Sequence, residues 1–302
     1  MERTLSHVFE DVAAVSYYIN GISLAKQQVT WQQHRLTDEM VIGGTCSCAK
    51  IPESERSKAI TATRAAEITL DLLRQGKCEK CALQHAYCIC SALSNLATNV
   101  AALGVDERIR FVVLMHIRER KRASNTGKLI ELVLPNAEVL LHDVAADMER
   151  FDKLLADTAP GAAFVLYPSA DALPVSHLLH ASIAKLETKL ERKSGNSVAL
   201  AIVIDGTWNQ ARRIHKQLQT LPHVALVPRA RSEFTCRRQA TEDRISTVEA
   251  AAHLLEDLNE PPQIAEALRK ALQELCGAWD RQCHLDTIQN RKLPSATSKP
   301  LP

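Results

Sequence analysis

The sequence of 302 residues lacks the features that mark secreted and membrane-spanning proteins. Its first stretch, MERTLSHVFEDVAAVSYYIN, has acids within its apolar positions and no basic start followed by a continuous apolar core, so it does not resemble a secretory signal. The longest regular apolar run, VALAIVI at 198–204, is far shorter than the roughly 18 residues that predict a membrane span. We therefore expect a cytoplasmic protein with no membrane partner.

A large charge of one sign is also missing. The 37 Lys and Arg residues face 35 Asp and Glu residues, which leaves a net charge of +2. This balance gives no sign of a nucleic-acid partner, so such a sign must come from where the charges lie. With 46% hydrophobic residues, the chain is long enough for one large domain or two ordinary ones.

The chain divides into segments of different pattern. Residues 1–75 have helical spacing and predict a helical N-terminal extension that ends at Gly76. Beyond it, strand-length apolar runs alternate with amphipathic segments, and this rhythm predicts an α/β domain over 109–285 with a mostly parallel sheet and helices on both faces. The runs are RFVVLMH, AEVLLHD, AAFVLYP, VALAIVID and HVALVP, and the helical segments include VSHLLHASIAKLETKLERK and STVEAAAHLLEDL. The polar tail at 286–302 is expected to be disordered.

Four of the nine cysteines lie close together in KCEKCALQHAYCICS, as Cys78, Cys81, Cys88 and Cys90. A C-x2-C pair and a C-x-C pair can supply four thiolates to a tetrahedral Zn²⁺ ion, which predicts a structural zinc site in a segment spanning 76–108. The alternative is that the four thiols are buried as small hydrophobic groups. His85, Cys46 and Cys48 are candidate replacement ligands, and Cys236, Cys276 and Cys283 are expected to pack in the core.

The stretch VIDGTWNQARR places Asp205 at the end of a predicted buried strand. Gly206 permits close backbone approach, and Thr207 can cap the helix that begins at Trp208. A carboxylate at a strand end is costly unless it is paired or faces a polar cleft, and parallel sheets bind ligands beyond these ends. We therefore expect Asp205 to face a cleft. The alternative is an acid that stabilises the helix dipole, with Trp208 in the core.

Further polar and basic residues follow the predicted strands. The SNTG sequence, residues 124–127, comes after RFVVLMH, and Tyr167 and Pro168 end AAFVLYP. Positive charge is concentrated near these loops, which is the electrostatic pattern expected for binding a phosphate-bearing polymer, although solvated surface charge is the alternative. The predicted RNA-binding residues are Arg118, Arg122, Arg212, Arg213, Lys216, Arg229, Arg231, Arg237 and Arg238.

Together, Asp205-Gly-Thr-Trp208, the SNTG loop, Tyr167-Pro168, the cysteine cluster and ISTVEA resemble the DTW-domain family of tRNA-uridine aminocarboxypropyltransferases. The resemblance covers roughly residues 76–260. It implies a SPOUT-like α/β fold with a knotted C-terminal part, and a catalytic domain over 109–285. The first 75 residues have no counterpart in the family core, and SEFTCRRQATEDR after Arg231 departs from the pattern that relatives often show.

The resemblance also implies a reaction. The 3-amino-3-carboxypropyl group of S-adenosylmethionine is transferred to N3 of a tRNA uridine, and methylthioadenosine is released. Uridine N3 must lose its proton, so Asp205 is expected to act as the base or to orient the uracil. By analogy, the residues assigned to the donor or the uridine are Ser124, Asn125, Thr126, Gly127, Tyr167, Pro168, Gly206, Thr207, Trp208, Ser246, Thr247 and Glu249. His116 and Glu119 also match the family pattern, with their roles open.

Two other functions fit the same residues. One is a SPOUT-type RNA methyltransferase, which would use the same donor and release S-adenosylhomocysteine. The other is a zinc-stabilised RNA-binding protein without catalysis. The identity of the tRNA product and by-product separates all three.

Overall fold

A computed structural model of the chain describes residues 53–103, 109–175, 199–226, 231–237 and 244–292, with side chains described from 64 to 284 within these ranges. The described helices are α1 (Glu53–Arg74), α2 (Cys90–Ala102), α3 (Gly127–Val133), α4 (Ala145–Asp157), α5 (Trp208–Gln217), α6 (Thr247–Asp257) and α7 (Pro262–Lys292). The described strands are β1 (Ile109–His116), β2 (Ala137–His142), β3 (Ala163–Leu166), β4 (Leu173–Pro174), β5 (Ala199–Asp205) and β6 (His223–Ala225).

The six described strands form one sheet in the order β2-β1-β5-β3-β6-β4, and all of their pairings are parallel. All five strands predicted from the sequence are present, and β4 is an addition that the sequence pattern did not indicate. Strand β5 enters between β1 and β3, and its last residue, Asp205, pairs with Met115 near the end of β1. The carboxyl ends of β1 and β5 therefore meet at one edge of the sheet.

Helices cover both faces of the sheet, as the sequence predicts. Successive side chains of a strand point to opposite faces, so Leu200 and Ile202 of β5 pack on one side with α4 and α5. Ala201 and Val203 pack on the other side with α2, α3, α6, α7 and the cysteine segment. The buried strands read as continuous apolar runs because neither face of this parallel sheet meets water.

Two of the predicted helices are present in the structure. The helix that was expected to end at Gly76 is α1, which ends at Arg74, and STVEAAAHLLEDL forms α6. Residues 1–52 lie outside the described residues, and so does most of VSHLLHASIAKLETKLERK. No described helix is long and apolar enough to cross a membrane.

The tail prediction is wrong at its start, because α7 continues to Lys292 instead of ending near Asp286. The sequence has no Gly or Pro between Gly277 and Pro294, so nothing in that stretch interrupts the helix. The polar composition of TIQNRK indicated a loop, but polar residues with adequate helix propensity can extend a helix that is already anchored by its earlier turns.

Candidate active site

Asp205 lies at the carboxyl end of β5 and points to the face of the sheet that carries α3 and α6. Asn125 Nδ2 donates a hydrogen bond to Asp205 Oδ2, and Thr247 Oγ1 donates to Asp205 Oδ1 at 2.7 Å. These donors belong to the SNTG loop and to the first turn of α6. The structure thus brings together three segments that are far apart in the sequence.

Asp205 is buried, with only 4% of the residue exposed. Burial raises its pKa above the ordinary value for an aspartate, although the hydrogen bonds from Thr247 and Asn125 act in the opposite direction. A buried carboxyl with a raised pKa is a stronger base than a solvated one. Its two donors hold the group in a fixed orientation.

The SNTG loop approaches this carboxylate closely at Gly127, the first residue of α3. A Cβ atom placed at Gly127 would lie 2.7 Å from Asp205 Cγ and 2.8 Å from Oδ1. Such distances are shorter than ordinary van der Waals contact, so only glycine fits here without displacing the carboxyl group. Ser124, Asn125 and Thr126, the other residues of the loop, are all buried.

Glu249 connects α6 to a neighbouring loop. Its carboxylate accepts hydrogen bonds from Ser246 N (2.7 Å) and Oγ (2.6 Å), from Ser232 Oγ (2.7 Å) and from Glu233 N (2.7 Å). The bond from Ser246 N, with the bond that Glu249 N donates to Ser246 Oγ at 3.4 Å, forms a capping box at the start of α6. Glu249 and Ser246, which the sequence assigned to a ligand, are thus occupied in holding the turn that presents Thr247 to Asp205.

A second buried carboxylate, Glu119, lies beside the SNTG loop. Arg122 Nη1 is 2.8 Å from Glu119 Oε1, and Arg237 Nη2 is 3.7 Å from Oε2. Arg237 Nη2 also donates to the Ser124 carbonyl at 3.1 Å. Burial raises the pKa of Glu119, Arg122 opposes this, and the nearby charge of Asp205 adds to the increase. Two of the predicted RNA-binding arginines therefore have intramolecular partners at this loop.

The expectation that Asp205 faces an open cleft is wrong for the described residues, because its carboxylate is covered and bonded. Hydrogen-bond donors on the adjacent loop and helix satisfy the carboxylate without a cleft. Tyr167 also lies elsewhere: it packs with Leu200 and Ile202 on the opposite face of the sheet, where its ring stacks on His215 at 4.3 Å. Pro168 follows it and is exposed.

Trp208, the first residue of α5, is 44% exposed and does not lie in the core. The guanidinium carbon of Arg244 is 4.2 Å from the centre of its ring, which is a cation–π contact. Thr207 is the N-cap of this helix, and Gln210 Oε1 accepts from the Thr207 amide at 2.7 Å. Gly206 lets this turn pack tightly, since an added Cβ would lie 3.0 Å from Gln210 Cβ. The helix start therefore presents an aromatic surface to solvent.

Seven of the nine predicted RNA-binding residues are described, and all seven are exposed; they are Arg118, Arg122, Arg212, Arg213, Lys216, Arg231 and Arg237. Arg229 and Arg238 lie outside the described residues. His116 connects two of the basic groups: burial lowers its pKa, and the charges of Arg118 and Arg213 lower it further. Both arginines are therefore near one imidazole at the end of β1.

The four clustered cysteines meet in space. Their Sγ atoms all lie within 4.8 Å of one another, with 3.5 Å between Cys78 and Cys90 and 3.8 Å between Cys81 and Cys88. Four sulfurs around a tetrahedral Zn²⁺ are about 3.8 Å apart, so the arrangement fits a metal ion. Burial raises the pKa of the Cys81 and Cys90 thiols, so a cation would be needed to stabilise four thiolates together.

Of the alternative ligands, only His85 lies within the described residues. The four cysteines form the only candidate metal-binding group among the residues that the structure describes, and His85 is not part of it. Cys46 and Cys48 lie outside those residues. Cys236 and Cys276 are buried with their Sγ atoms 3.5 Å apart, as expected for packing in the core, whereas Cys283 is only partly buried.

The chain matches a known protein family over most of its length. The DTW domain profile matches residues 75–279, which is more than half of the chain. The chain belongs to the DTW domain family. It is 29% identical over 245 residues to a protein of Drosophila melanogaster named tRNA-uridine aminocarboxypropyltransferase 2, a match that covers 76% of this chain and 87% of that protein.

Two mammalian proteins of the same name also match this chain. The identity is 25% with the Macaca fascicularis protein and 28% with the Mus musculus protein, each over 207 residues and 67% of this chain. The chain spans 63% of the length of each of these two relatives. No solved structure matches the chain. The matched region contains α2 to α6, the sheet, the cysteine cluster and the Asp205 network.

The structure of the DTW domain shows three residues whose importance the sequence did not indicate. Lys128 is buried next to the cysteine cluster, Arg244 covers the Trp208 ring, and His215 stacks on Tyr167. The sequence alone predicted no role for any of these three residues. Local sequence patterns carry no signal for such contacts, because each contact joins two segments that are distant in the sequence and meet only in the folded protein.

Proposed function

We propose that this chain transfers the 3-amino-3-carboxypropyl group from S-adenosylmethionine to N3 of a uridine in tRNA. The proposal rests on one observation. Asp205, which matches the family's aspartate, is hydrogen-bonded to the SNTG loop and to α6 at the carboxyl edge of a parallel sheet. The names of the relatives from fly, macaque and mouse support the same reaction.

The chemistry is a nucleophilic substitution. Uridine N3 loses its proton, and its electron pair forms a bond to the carbon that joins the aminocarboxypropyl chain to sulfur. The bond between that carbon and sulfur breaks, and its electrons neutralise the sulfonium, so that methylthioadenosine leaves. Because S-adenosylmethionine carries three carbons on sulfur, the orientation of the bound donor decides which carbon reacts.

For the protein, we propose that Asp205 accepts the N3 proton. Its raised pKa suits this task, and each carboxylate oxygen that accepts one hydrogen bond retains a lone pair for another. Since Asp205 is only 4% exposed, this role requires RNA binding to open access to its carboxylate. The Asp205→Asn variant keeps the shape but loses the basicity, and we expect it to bind the donor while forming almost no product. Full activity in that variant would eliminate the base role.

We propose that the SNTG loop binds the donor and that the exposed Trp208 stacks on a base of the tRNA. Base stacking needs an accessible aromatic ring, and Trp208 is exposed, with Arg244 adding a positive charge. The arginines at 118, 212 and 213, with Lys216, are suited to holding the RNA backbone on either side. In RNA loops the target base is already unstacked, which lowers the cost of presenting it.

We further propose that the cysteine cluster binds one Zn²⁺ ion as a structural site. All four ligands are thiolates, so no position remains for water or substrate, and the metal supplies folding energy to a segment of irregular backbone. A cytoplasmic location and a knotted, SPOUT-like C-terminal part also stay predictions.

The test of the reaction uses the full chain with S-adenosylmethionine and unmodified tRNA. We expect methylthioadenosine as the by-product and a nucleoside whose mass is increased by the aminocarboxypropyl group. S-adenosylhomocysteine in its place would establish the methyltransferase alternative. Binding of tRNA that is indifferent to the donor, with neither by-product, would leave the non-catalytic RNA-binding alternative. Mass spectrometry of tRNA nucleosides from cells with and without the protein identifies the target.

A further inference from the structure

The cysteine segment is packed against the same core as the candidate active site. Cys81, Ala82 and Leu83 are completely buried, and short backbone bonds from Cys78 N to Leu83 O and from Ala82 N to Cys78 O (both 2.8 Å) shape the turn. The carbonyl of Cys81 points into the protein, where it accepts a hydrogen bond at 2.6 Å from the Lys128 ammonium. One hydrogen bond thus connects Cys81, a candidate metal ligand, to Lys128 in α3, the helix that begins at the end of the SNTG loop.

Lys128 is an unusual residue for this position. It is 1% exposed, and the described structure gives its Nζ two hydrogen-bond acceptors, the carbonyls of Cys81 and Arg122 (2.8 Å). A lysine is almost never fully buried unless its charge is paired, because removing an ammonium from water is costly. Two backbone carbonyls accept hydrogen bonds from the Lys128 ammonium. Burial of this ammonium is therefore tolerated only while both carbonyls remain in position.

The same residue reaches the candidate catalytic group through its backbone. Lys128 N donates to Asn125 Oδ1 at 3.2 Å, and the other end of that amide donates to Asp205. The Arg122 carbonyl that accepts from Lys128 Nζ also accepts from Asn125 N at 3.0 Å. An unbroken series of hydrogen bonds therefore runs from the cysteine cluster through Lys128 and Asn125 to Asp205.

We propose that Lys128 is a positioning residue that couples metal binding by the cysteine cluster to the order of the SNTG loop. Metal loading fixes the Cys81 carbonyl, Lys128 holds the Arg122 carbonyl against it, and the loop is thereby kept in contact with Asp205. The part of this inference that concerns donor binding rests on the proposed function, whereas the coupling itself concerns only the fold. Residues such as Asn125 and Gly127 then have the correct geometry only in the metal-loaded protein.

A different result is expected if Lys128 only fills space and does not hold the loop. Lys128→Met has a similar length and no charge, so if the lysine only fills space the substitution should leave the packing nearly unchanged. In that case the variant would show unchanged local order in the loop. The matched control is Lys121→Met in the same segment, because the Lys121 side chain is 54% exposed and its contact to Asp71 is long, at 3.9 Å.

The experiment is hydrogen exchange of the full chain, with and without a zinc chelator, followed by peptide at 122–130 and, as reference, in α4. In Lys128→Met we expect amides in 122–130 to exchange about tenfold faster or more, the order of effect of losing a hydrogen bond to a charged group in a protein interior. We expect α4 to be unchanged and zinc to remain bound. Chelation should speed exchange at 122–130 in the wild type and in Lys121→Met, but add little in Lys128→Met.

The proposal would be overturned if the amides at 122–130 exchanged at the wild-type rate in Lys128→Met. Strictly additive effects of the substitution and the chelator on these rates would overturn it as well. A uniform increase that includes α4 would do the same, because it indicates general destabilisation. If Lys128→Met does not fold, chelation of the wild type decides: a selective increase at 122–130 supports the coupling, and no change refutes it. Calorimetry should show S-adenosylmethionine binding weakened about tenfold in Lys128→Met. A wild type that binds no donor would reject the proposed function and leave the exchange result intact.

Discussion

Substituting alanine for Gly127 tests whether the SNTG loop really packs on the carboxylate. The added Cβ would lie 2.7 Å from Asp205 Cγ, so the two groups must separate by about 0.7 Å to reach ordinary contact. The obstacle is a buried side chain with hydrogen bonds to Asn125 and Thr247, which cannot swing away. Overpacking of this kind costs about 1–3 kcal/mol of unfolding free energy.

The matched control is the same substitution at Gly277, within α7. There the added Cβ would meet only Arg281 Nη1, at 3.3 Å, which is the end of a flexible side chain. Because alanine is favoured over glycine inside a helix, Gly277→Ala is expected to stabilise the protein by about 0.5–1 kcal/mol. One chemical change thus has opposite predicted signs at two positions. Urea unfolding of both variants and of the wild type measures them.

Activity provides a second measurement on the Gly127→Ala variant. A displacement approaching 1 Å at a reacting group can lower the rate by about 10²-fold, so we expect methylthioadenosine formation to fall by that order while Gly277→Ala retains wild-type activity. An unfolding free energy for Gly127→Ala within about 0.5 kcal/mol of the wild type, the range of surface substitutions, would refute the close packing of the loop.

Three further predictions concern the metal, the charge of Asp205 and RNA binding. About one equivalent of zinc should co-purify with the protein, and Cys78→Ser combined with Cys88→Ser should abolish it; zinc that survives both changes would reject the thiolate site. Because burial raises the pKa of Asp205, the native state binds more protons than the unfolded chain as the pH rises above 3.8, so wild-type stability should fall relative to Asp205→Asn over that range. A pH-independent difference in urea unfolding would contradict this. Trp208→Ala should weaken tRNA binding about tenfold in a filter-binding assay without changing donor affinity, as loss of one stacked base requires, and unchanged binding would exclude stacking.

Five of the six described strands were predictable because they read as short apolar runs that pack in the interior, whereas β4, which is exposed, was not. The ends of β1, β3 and β5 fall where those runs stop, so the positions of the SNTG loop, Tyr167 and Asp205 at strand ends followed from local composition. The same logic failed at the C-terminus, since polar residues beyond Asp286 continue α7. Helix propensity in a polar segment is a weak signal, and the anchoring of the preceding turns decided the outcome.

The surroundings of Asp205 were predictable only in part. An acid at a strand end indicated a polar environment, but its partners could not be identified, because Asn125 and Thr247 lie 80 and 42 residues away in the chain. Whether such partners close over a carboxylate or leave a cleft depends on packing. The close approach at Gly127 is likewise a property of two segments that meet only in the folded chain.

The sequence alone determined the alternation of strands and helices, the cysteine spacing that suits a tetrahedral metal, and the motifs of the DTW domain, because each is written in residues a few positions apart. Only the tertiary structure decided that Tyr167 and Asp205 occupy opposite faces of the sheet, that Glu249 braces a turn, and that Lys128 joins the cysteine cluster to the SNTG loop. These outcomes depend on hydrogen bonds and close packing between distant segments, whose energies exist only once the chain has folded.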